Sequence, residues 1–177
     1  MTKFTDRHTG VLIRFANVQD IPAIAQVLTQ SFYPHSWLRP LWQWGINLDL
    51  RLRLVEPSPR YACLVAVVNH QAIASVEICT RSIAIRPWHH LTYPYVFNLA
   101  VHPQWRRQGI AKQLLAATEP IARQWGFSQM FIHVLAKNHS ALQLYFQFNY
   151  ELFRQDSSWL GRLCFSSNRL LLYKNLR

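Results

Sequence analysis

The chain has 177 residues, half of them hydrophobic, and its 19 lysines and arginines against eight aspartates and glutamates give a formal net charge of +11. This size suits one domain with a sizeable core, which we expect over residues 11–177 behind a tail of residues 1–10, and the apolar content excludes disorder along the whole chain. No apolar run is long enough to cross a bilayer, and the first ten residues lack the apolar segment of a signal peptide, so we expect a cytoplasmic protein.

The excess of positive charge suits an anionic partner. A phosphorylated cofactor is one such partner, and a ribosome, RNA or an acidic protein surface are others, although the sequence has no RNA-binding motif or lysine-rich tail. The cysteines Cys63, Cys79 and Cys164 are odd in number and lack metal-ligand spacing, so we predict no disulfide framework and no metal site.

Apolar spacing and turn residues define the predicted elements of the N-terminal half. Asp20 can cap the first helix with its side chain, Pro22 suits its first turn, and Pro34 ends it. In chain order we predict a strand over 11–16, this helix, an aromatic loop over 32–40, a helix over 41–55, strands over 61–68 and 72–80, and an irregular segment over 82–94.

The central stretch begins at Tyr95 as a strand that is almost continuously apolar, as in a strand covered on both faces. Pro103 ends this strand because proline has no N–H for the sheet. A basic loop over 104–108 follows, and Gly109 then opens a helix with one apolar face.

The turn from this strand into the helix has the features of an anion site. The first N–H groups of a helix have no internal partner, and the helix dipole makes that end positive. Gly109 lets the backbone approach a phosphate closely, and Arg106 and Arg107 add charge. An ordinary strand-to-helix turn with solvated arginines is the alternative, since a short glycine motif is weak evidence.

The C-terminal half continues the alternation of helices and strands. Gly126 suits the end of the long helix, where a left-handed residue is common. We then predict a strand over 129–135, a helix over 138–148, strands over 150–154 and 170–174, and a loop over 156–168. This order indicates a mixed α/β fold in which the long helix crosses between neighbouring strands.

The central turn resembles motif A of the GNAT acyltransferase superfamily: Arg or Gln, two residues, Gly, one residue, Gly or Ala. Arg106, Gly109 and Ala111 match it, behind a strand end that reads Leu99-Ala100-Val101. The resemblance implies that the loop binds the pyrophosphate of acetyl-CoA. The cofactor-binding residues that it implies are Leu99, Ala100, Val101, Arg106, Arg107, Gln108, Gly109, Ile110, Ala111, Asn138 and Tyr145.

A second stretch, residues 138–150, resembles another GNAT pattern. The matching residues are Asn138, Ala141, Leu144 and Tyr145. Asn149 stands where the family has glycine, and asparagine tolerates the left-handed backbone that glycine would supply. The resemblance covers about residues 12–174. It implies the GNAT acyl-CoA N-acyltransferase fold, in which helices flank a mixed, mostly antiparallel sheet that splays between its fourth and fifth strands.

In the family, the tyrosine that corresponds to Tyr145 protonates the CoA sulfur as the tetrahedral intermediate collapses. An ordinary phenol, with a pKa of about 10, is a reasonable donor to a thiolate. Asn138 lies two helical turns away on the same face, and the resemblance implies that it helps to hold the cofactor. Without the motif, Tyr145 would read as a core aromatic of an amphipathic helix.

Proton removal from the acceptor amine needs a base, and the chain has few carboxylates. The sequence is similar to protein N-terminal acetyltransferases that carry a tyrosine and a histidine at the positions of Tyr95 and His133, where the pair positions a water. Glu77, inside a strand, is the alternative base, and a hydrogen-bonded core residue is the alternative role for His133. Histidine is readily tuned for proton transfer near neutral pH. The loop Phe32-Tyr33-Pro34 resembles their aromatic-proline loop beside the peptide.

These resemblances imply an acetyl-CoA-dependent N-acetyltransferase for a protein or peptide α-amine, with lysine as a slower acceptor. The same segments also resemble plastid and cyanobacterial-type enzymes that acetylate both N-termini and lysines. A small-amine acetyltransferase and a non-catalytic module that binds acyl-CoA or RNA are the alternatives. The resemblance leaves the acceptor, the acyl chain length and the oligomeric state open.

Overall fold

The computed structural model describes residues 4–5, 10–34, 36–86, 89–156 and 169–176. Its helices are α1 (Ile21–Phe32), α2 (Arg39–Val55), α3 (Ile110–Gln124) and α4 (His139–Gln147), with 3-10 turns at Val18–Asp20 and Pro103–Trp105. Its strands are β1 (Phe4–Thr5), β2 (Leu12–Phe15), β3 (Tyr61–Val68), β4 (Gln71–Arg86), β5 (His89–Val101), β6 (Gln129–Leu135), β7 (Glu151–Asp156) and β8 (Arg169–Asn175). Within the described ranges, no helix is both long and apolar enough to span a membrane.

The strands follow the hydrogen-bonded order β1-β2-β3-β4-β5-β6-β8-β7. β5 and β6 are parallel, and they pair at Tyr95 with Phe131 and at Val96 with Ile132, although β5 runs on to Val101. β1 with β2, β2 with β3, β3 with β4, β6 with β8 and β7 with β8 are antiparallel. The predicted mixed, mostly antiparallel sheet is thereby confirmed. β5 and β6 correspond to the predicted fourth and fifth strands, because the prediction did not include β1.

The chain divides into two compact units, and the first contains residues up to Cys79 together with Asn98–Thr118. In this unit β3 lies between β2 and β4, and its core combines aliphatic side chains of α1 with those of the strands. Cys63 belongs to this core, and burial raises the pKa of its thiol, as expected for a small buried hydrophobe. The core residues are Ile21, Ile24, Ala25, Val27, Leu28, Leu50, Cys63, Val65, Val67, Ala72 and Ala100.

The start of α1 differs from the prediction that Asp20 caps the helix. Asn17 caps the preceding 3-10 turn instead, since its side chain accepts from the N–H of Gln19 and of Asp20, at 2.9 and 3.2 Å. The carboxylate of Asp20 accepts a hydrogen bond from the N–H of Asn17 at 2.8 Å. It also forms a bidentate ion pair with Arg14, at 2.6 and 2.8 Å. The cap prediction was wrong because Asp20 makes no side-chain cap bond to α1 and serves this capping box and ion pair.

The second unit contains Thr80–Phe97 and the residues from Glu119 onward. β8 lies between β6 and β7, and an aromatic cluster of Tyr93, Tyr95, Phe97, Phe131 and Tyr173 packs around Leu171. Two bonds close the end of α3: the N–H of Phe127 reaches the carbonyl of Ala122 at 3.1 Å, and that of Gly126 reaches Arg123 at 2.9 Å. Gly126 has a φ of 85°, so its predicted role at the helix end is confirmed.

The segment over 82–94 differs most from the prediction of irregular structure. β4 continues to Arg86 and β5 already begins at His89, and the hydroxyls of Ser82 and Thr92 lie 2.9 Å apart across these strands. The prolines of this segment suggested a break, but its β-branched residues Ile83, Ile85 and Thr92 favour strand structure. β1 is a further addition, since Phe4 pairs with Ile13 where only a tail was expected. The single domain over 11–177 stays a prediction, and most of the predicted loop over 156–168, with Cys164, lies outside the described residues.

Candidate active site

The predicted phosphate loop lies in the first unit, between the 3-10 turn at Pro103–Trp105 and α3. Arg107 and Gly109 have left-handed backbone, with φ of 64° and 78°, and both are exposed. A Cβ at Gly109 would meet no atom within 4 Å, so the loop faces open space there. Ile110 is buried and anchors the first turn of α3, whose leading N–H groups face out of the helix end. This geometry suits an anion.

Arg106 serves the loop differently from the predicted rim charge. Its Nε donates to the carbonyl of Val101 at 3.0 Å, and its Nη2 donates to the hydroxyl of Ser31 at 3.3 Å. The guanidinium therefore ties the loop to the end of β5 and to α1. Arg106 thus braces the loop, while the exposed Arg107 presents its charge to solvent.

Glu77 lies at the centre of a hydrogen-bonded network in the first unit, and its side chain is 0% exposed. Oε2 accepts from the hydroxyl of Tyr61 at 2.6 Å, and Nη1 of Arg53 lies 3.1 Å from the same oxygen. Oε1 accepts from Nδ2 of Asn98 at 2.7 Å. Burial raises the pKa of Glu77, while Arg53 and the bonds from Tyr61 and Asn98 oppose that rise. Both carboxylate oxygens are thus engaged away from solvent.

Asn98, inside β5, has a φ of 51°, a backbone conformation that is rare in a strand. Its bond to Glu77 fixes the side chain of this unusual residue directly before Leu99-Ala100-Val101, the predicted cofactor edge. Sequence reasoning missed Tyr61, Arg53 and Asn98, because nothing in their local spacing joins them to Glu77.

Tyr95 and His133 come together in the second unit. The hydroxyl of Tyr95 lies 3.0 Å from Nδ1 of His133, and the rings are 5.5 Å apart. The parallel pairing explains this contact, because Tyr95 pairs with Phe131 and His133 follows two residues later on the same face. Tyr95 is buried, whereas His133 is partly exposed. The side chain of Arg81, which sequence reasoning missed, lies over the Tyr95 ring, with Cζ 3.7 Å from the ring centroid.

Tyr145, on α4 in the second unit, is 6% exposed and packs 5.6 Å from the ring of Tyr150. Burial raises its pKa, and the negative charge of an ionised Tyr95 would raise it further. The phenol is therefore fully protonated at neutral pH, although it is a weaker acid than an ordinary tyrosine. Asn149 has a φ of 60°, in agreement with the predicted left-handed backbone at that position.

Asn138 caps α4, since its side-chain oxygen accepts from the N–H of Ala141 at 3.2 Å. This cap accounts for the residue at the start of the helix without a ligand. Of the predicted peptide-facing loop, Phe32 is half exposed and Tyr33 stacks on Trp42 at 4.7 Å. The carbonyl of Pro34 accepts from Arg39. Across the described residues, no group of three or more metal-binding side chains comes together.

The fold and the site residues described above agree with a match to the Acetyltransferase (GNAT) family over residues 20–150. Because this match takes in most of the chain, the protein belongs to that family, as its two motifs indicated.

The relatives include GCN5-related N-acetyltransferase 10, chloroplastic, of Arabidopsis thaliana, which is 30% identical over 122 residues, 60% of this chain and 48% of that protein. The chain spans less than half the length of the curated relatives that it matches. The Thermoplasma acidophilum PaiA N-acetyltransferase in complex with coenzyme A is 18% identical, with a TM-score of 0.68 over 93% of this chain and 98% of that chain. Chaetomium thermophilum Naa20 in complex with a bisubstrate analogue is also 18% identical, with a TM-score of 0.69 over 93% and 86%. At these identities the two structures establish the shared fold.

Proposed function

We propose that this protein transfers the acetyl group of acetyl-CoA to the α-amino group of a protein or peptide, with lysine side chains as slower acceptors. Membership of the GNAT family and the coenzyme A in the related PaiA structure support the donor. The observation that carries the choice of acceptor is the 3.0 Å contact between Tyr95 and His133.

The phosphate loop holds the pyrophosphate of acetyl-CoA in this proposal. Exposed N–H groups at the start of α3 and the positive end of its dipole attract the anion. The left-handed Gly109 has no side chain to keep the phosphates away, and open space lies where its Cβ would be. Arg106 positions the loop and Arg107 supplies charge.

The reaction begins when the neutral amine attacks the thioester carbon and forms a tetrahedral intermediate. The proton that the nitrogen loses passes, directly or through water, to the pair formed by His133 and Tyr95. Collapse of the intermediate breaks the bond from carbon to sulfur, and Tyr145 donates its proton to the sulfur. Because burial raises the pKa of Tyr145, this transfer accompanies the development of charge on sulfur, and the phenolate that it leaves takes up a proton from solvent before the next turnover.

The basicity of the acceptor favours α-amines for such a site. An α-amino group has a pKa of about 7.7–8.0 and a lysine about 10.4, so at neutral pH far more of the former is neutral. The difference is worth about 3 kcal/mol or more, at roughly 1.4 kcal/mol per pKa unit. A histidine can take the proton of the first amine readily, whereas a lysine would need a stronger base. Glu77 is poorly suited to that task because its buried carboxylate is held by three partners.

One related structure supports a protein acceptor. It is that of the ribosomal-protein-S18-alanine N-acetyltransferase of Escherichia coli, which is 16% identical with a TM-score of 0.63. An association with ribosomes would suit the positive charge of this chain. The cytoplasmic location stays a prediction.

The test of the acceptor is kinetic. Peptides with a free N-terminus and no lysine are compared with N-blocked peptides that contain one lysine and with polyamines, all with acetyl-CoA, and products are identified by mass spectrometry. We expect the free-N-terminus peptides to react fastest. Preferential acetylation of polyamines would instead identify a small-amine acetyltransferase, and no turnover with any acceptor would leave a binding module.

A further inference from the structure

We propose that Arg81 determines acceptor specificity, by binding the carboxylate of a peptide that has aspartate or glutamate among its first two residues. This inference rests on the proposed α-amine acceptor. It names a recognition element that neither sequence motif contains.

The position of Arg81 is the first argument. Its guanidinium lies over the ring of Tyr95 at 3.7 Å, and the hydroxyl of the same ring contacts His133 at 3.0 Å. The ring of Tyr95 thus contacts both the guanidinium of Arg81 and His133, the residue that is proposed to receive the amine proton. The ring centroid of Phe97 lies 5.7 Å from the same Cζ, so two aromatic rings attract the guanidinium.

The geometry of stacking is the second argument. Stacking engages the flat face of a guanidinium, whereas its N–H donors lie in the plane and point outward from the edge. Arg81 is exposed, so this edge is accessible from solvent. A planar fork of donors with a fixed orientation matches the two oxygens of a carboxylate better than a flexible ammonium does.

The local charge balance is the third argument. No aspartate or glutamate occurs among residues 80–97, the first segment of the second unit. Later in that unit, Glu119 is bound by Lys174 at 2.5 Å and lies 3.4 Å from Arg123. Glu151 accepts from the hydroxyl of Tyr173 at 2.7 Å. These two carboxylates, whose side chains the structure describes, are thus engaged elsewhere, and an acidic acceptor supplies the counter-charge.

The test uses pairs of free-N-terminus peptides that differ only in aspartate or asparagine, or in glutamate or glutamine, at the first or second residue. For the parent protein we expect kcat/KM to be roughly five- to tenfold higher for the acidic member, mainly through KM, and the ratio to shrink at high ionic strength. The Arg81→Gln variant should have equal kcat/KM for the two peptides of a pair, and the Arg81→Glu variant should have a higher kcat/KM for the neutral peptide. The matched control is Arg51→Glu, the same charge reversal at an exposed position of α2, which should keep the preference.

Equal kcat/KM within the peptide pairs for the parent protein would overturn the assignment, as would a preference for acidic peptides that survives in folded Arg81→Glu. Circular dichroism establishes that each variant is folded. Binding of the same peptides in N-acetylated form, as products, gives an affinity ratio that needs no turnover. If no free-N-terminus peptide reacts, the proposed acceptor is wrong, and the affinity ratio still decides the role of Arg81.

Discussion

Glu77 and His133 are both titratable residues inside strands, but their surroundings differ in a way that separates structure from chemistry. Glu77 is 0% exposed, and Tyr61, Asn98 and Arg53 occupy both of its oxygens. His133 is partly exposed and contacts the hydroxyl of Tyr95. A base must meet its substrate, so a carboxylate held by three partners stabilises the fold, while a histidine within reach of solvent is suited to move a proton.

The largest effect should come from a second contrast of the same kind, between Tyr145 and Tyr150. Both are buried phenols with a raised pKa, and their rings are 5.6 Å apart. We expect Tyr145→Phe to lower kcat by about a hundredfold to ten-thousandfold, the usual loss when a general acid is removed. The affinity for acetyl-CoA, measured by calorimetry, should change little.

Tyr150→Phe is the matched control, because it removes the same hydroxyl from a neighbouring ring. Within the described residues the Tyr150 hydroxyl is buried without a hydrogen-bond partner, so its loss should not reduce stability. Its kcat should stay near that of the parent. Equal losses of kcat in the two variants would mean that Tyr145 contributes packing only.

The Glu77→Ala substitution should lower the stability of the protein. Arg53, with a side chain that is 25% exposed, would lose its buried anion and keep Asp49 as a partner. We expect the free energy of unfolding in urea to fall by about 3 kcal/mol, the lower end of the cost of breaking a buried ion pair, because Asp49 compensates in part. Glu77→Gln keeps the shape and the contact with Tyr61 and should lose less. A folded Glu77→Ala with parental stability would contradict the structural role.

Gly109→Ala should weaken acetyl-CoA binding by roughly tenfold, or about 1.4 kcal/mol, since the new methyl group enters the space assigned to the pyrophosphate. Gly126→Ala is the matched control at the other end of α3. Both glycines have positive φ, 78° and 85°, and open space where a Cβ would stand, so both variants carry similar backbone strain. Calorimetric affinities reduced equally in both variants would show that strain, not the ligand, explains the loss.

The smallest effect concerns pH. Burial raises the pKa of Glu77 above its ordinary value of 4.5, so the folded protein holds this proton more tightly than the unfolded chain. Its contribution to stability is therefore complete below that value and declines as pH rises toward the raised pKa. Urea unfolding of the parent and of Glu77→Gln across this range should give a difference that falls with pH. A difference that grows with pH would show that Arg53 lowers the pKa more than burial raises it.

The sequence predicted local structure well wherever one element determined the outcome. The bounds of β3 and β6 were predicted correctly, and the left-handed backbone expected at Asn149 and Gly126 is present. The predictions failed where a residue distant in sequence determines the local structure. Asp20 was expected to cap α1, but its carboxylate binds the side chain of Arg14 and the N–H of Asn17 instead. Sheet pairing likewise outweighed the prolines that suggested a break after residue 82.

The site shows the same division. Gly109 and Tyr145 stand in motifs with fixed spacing, and His133 matches a position in similar N-terminal acetyltransferases, so all three could be nominated from the sequence. Arg81 and Asn98 could not, because a cation over an aromatic ring and a left-handed residue inside a strand depend on neighbours that only the folded sheet supplies. Glu77 was nominated as a base because its burial and its three partners were invisible in the sequence.

The central claim is that His133, paired with Tyr95, takes the proton of an α-amine and that Glu77 does not. The most direct measurement is the pH–rate profile of kcat/KM for one free-N-terminus peptide with the parent, His133→Ala and Glu77→Gln. We expect His133→Ala to lose about a hundredfold or more and to recover part of it at alkaline pH, where more of the amine is already neutral. Glu77→Gln should keep the parental profile within a few-fold. A profile in which His133→Ala matches the parent while Glu77→Gln loses its activity would contradict the account.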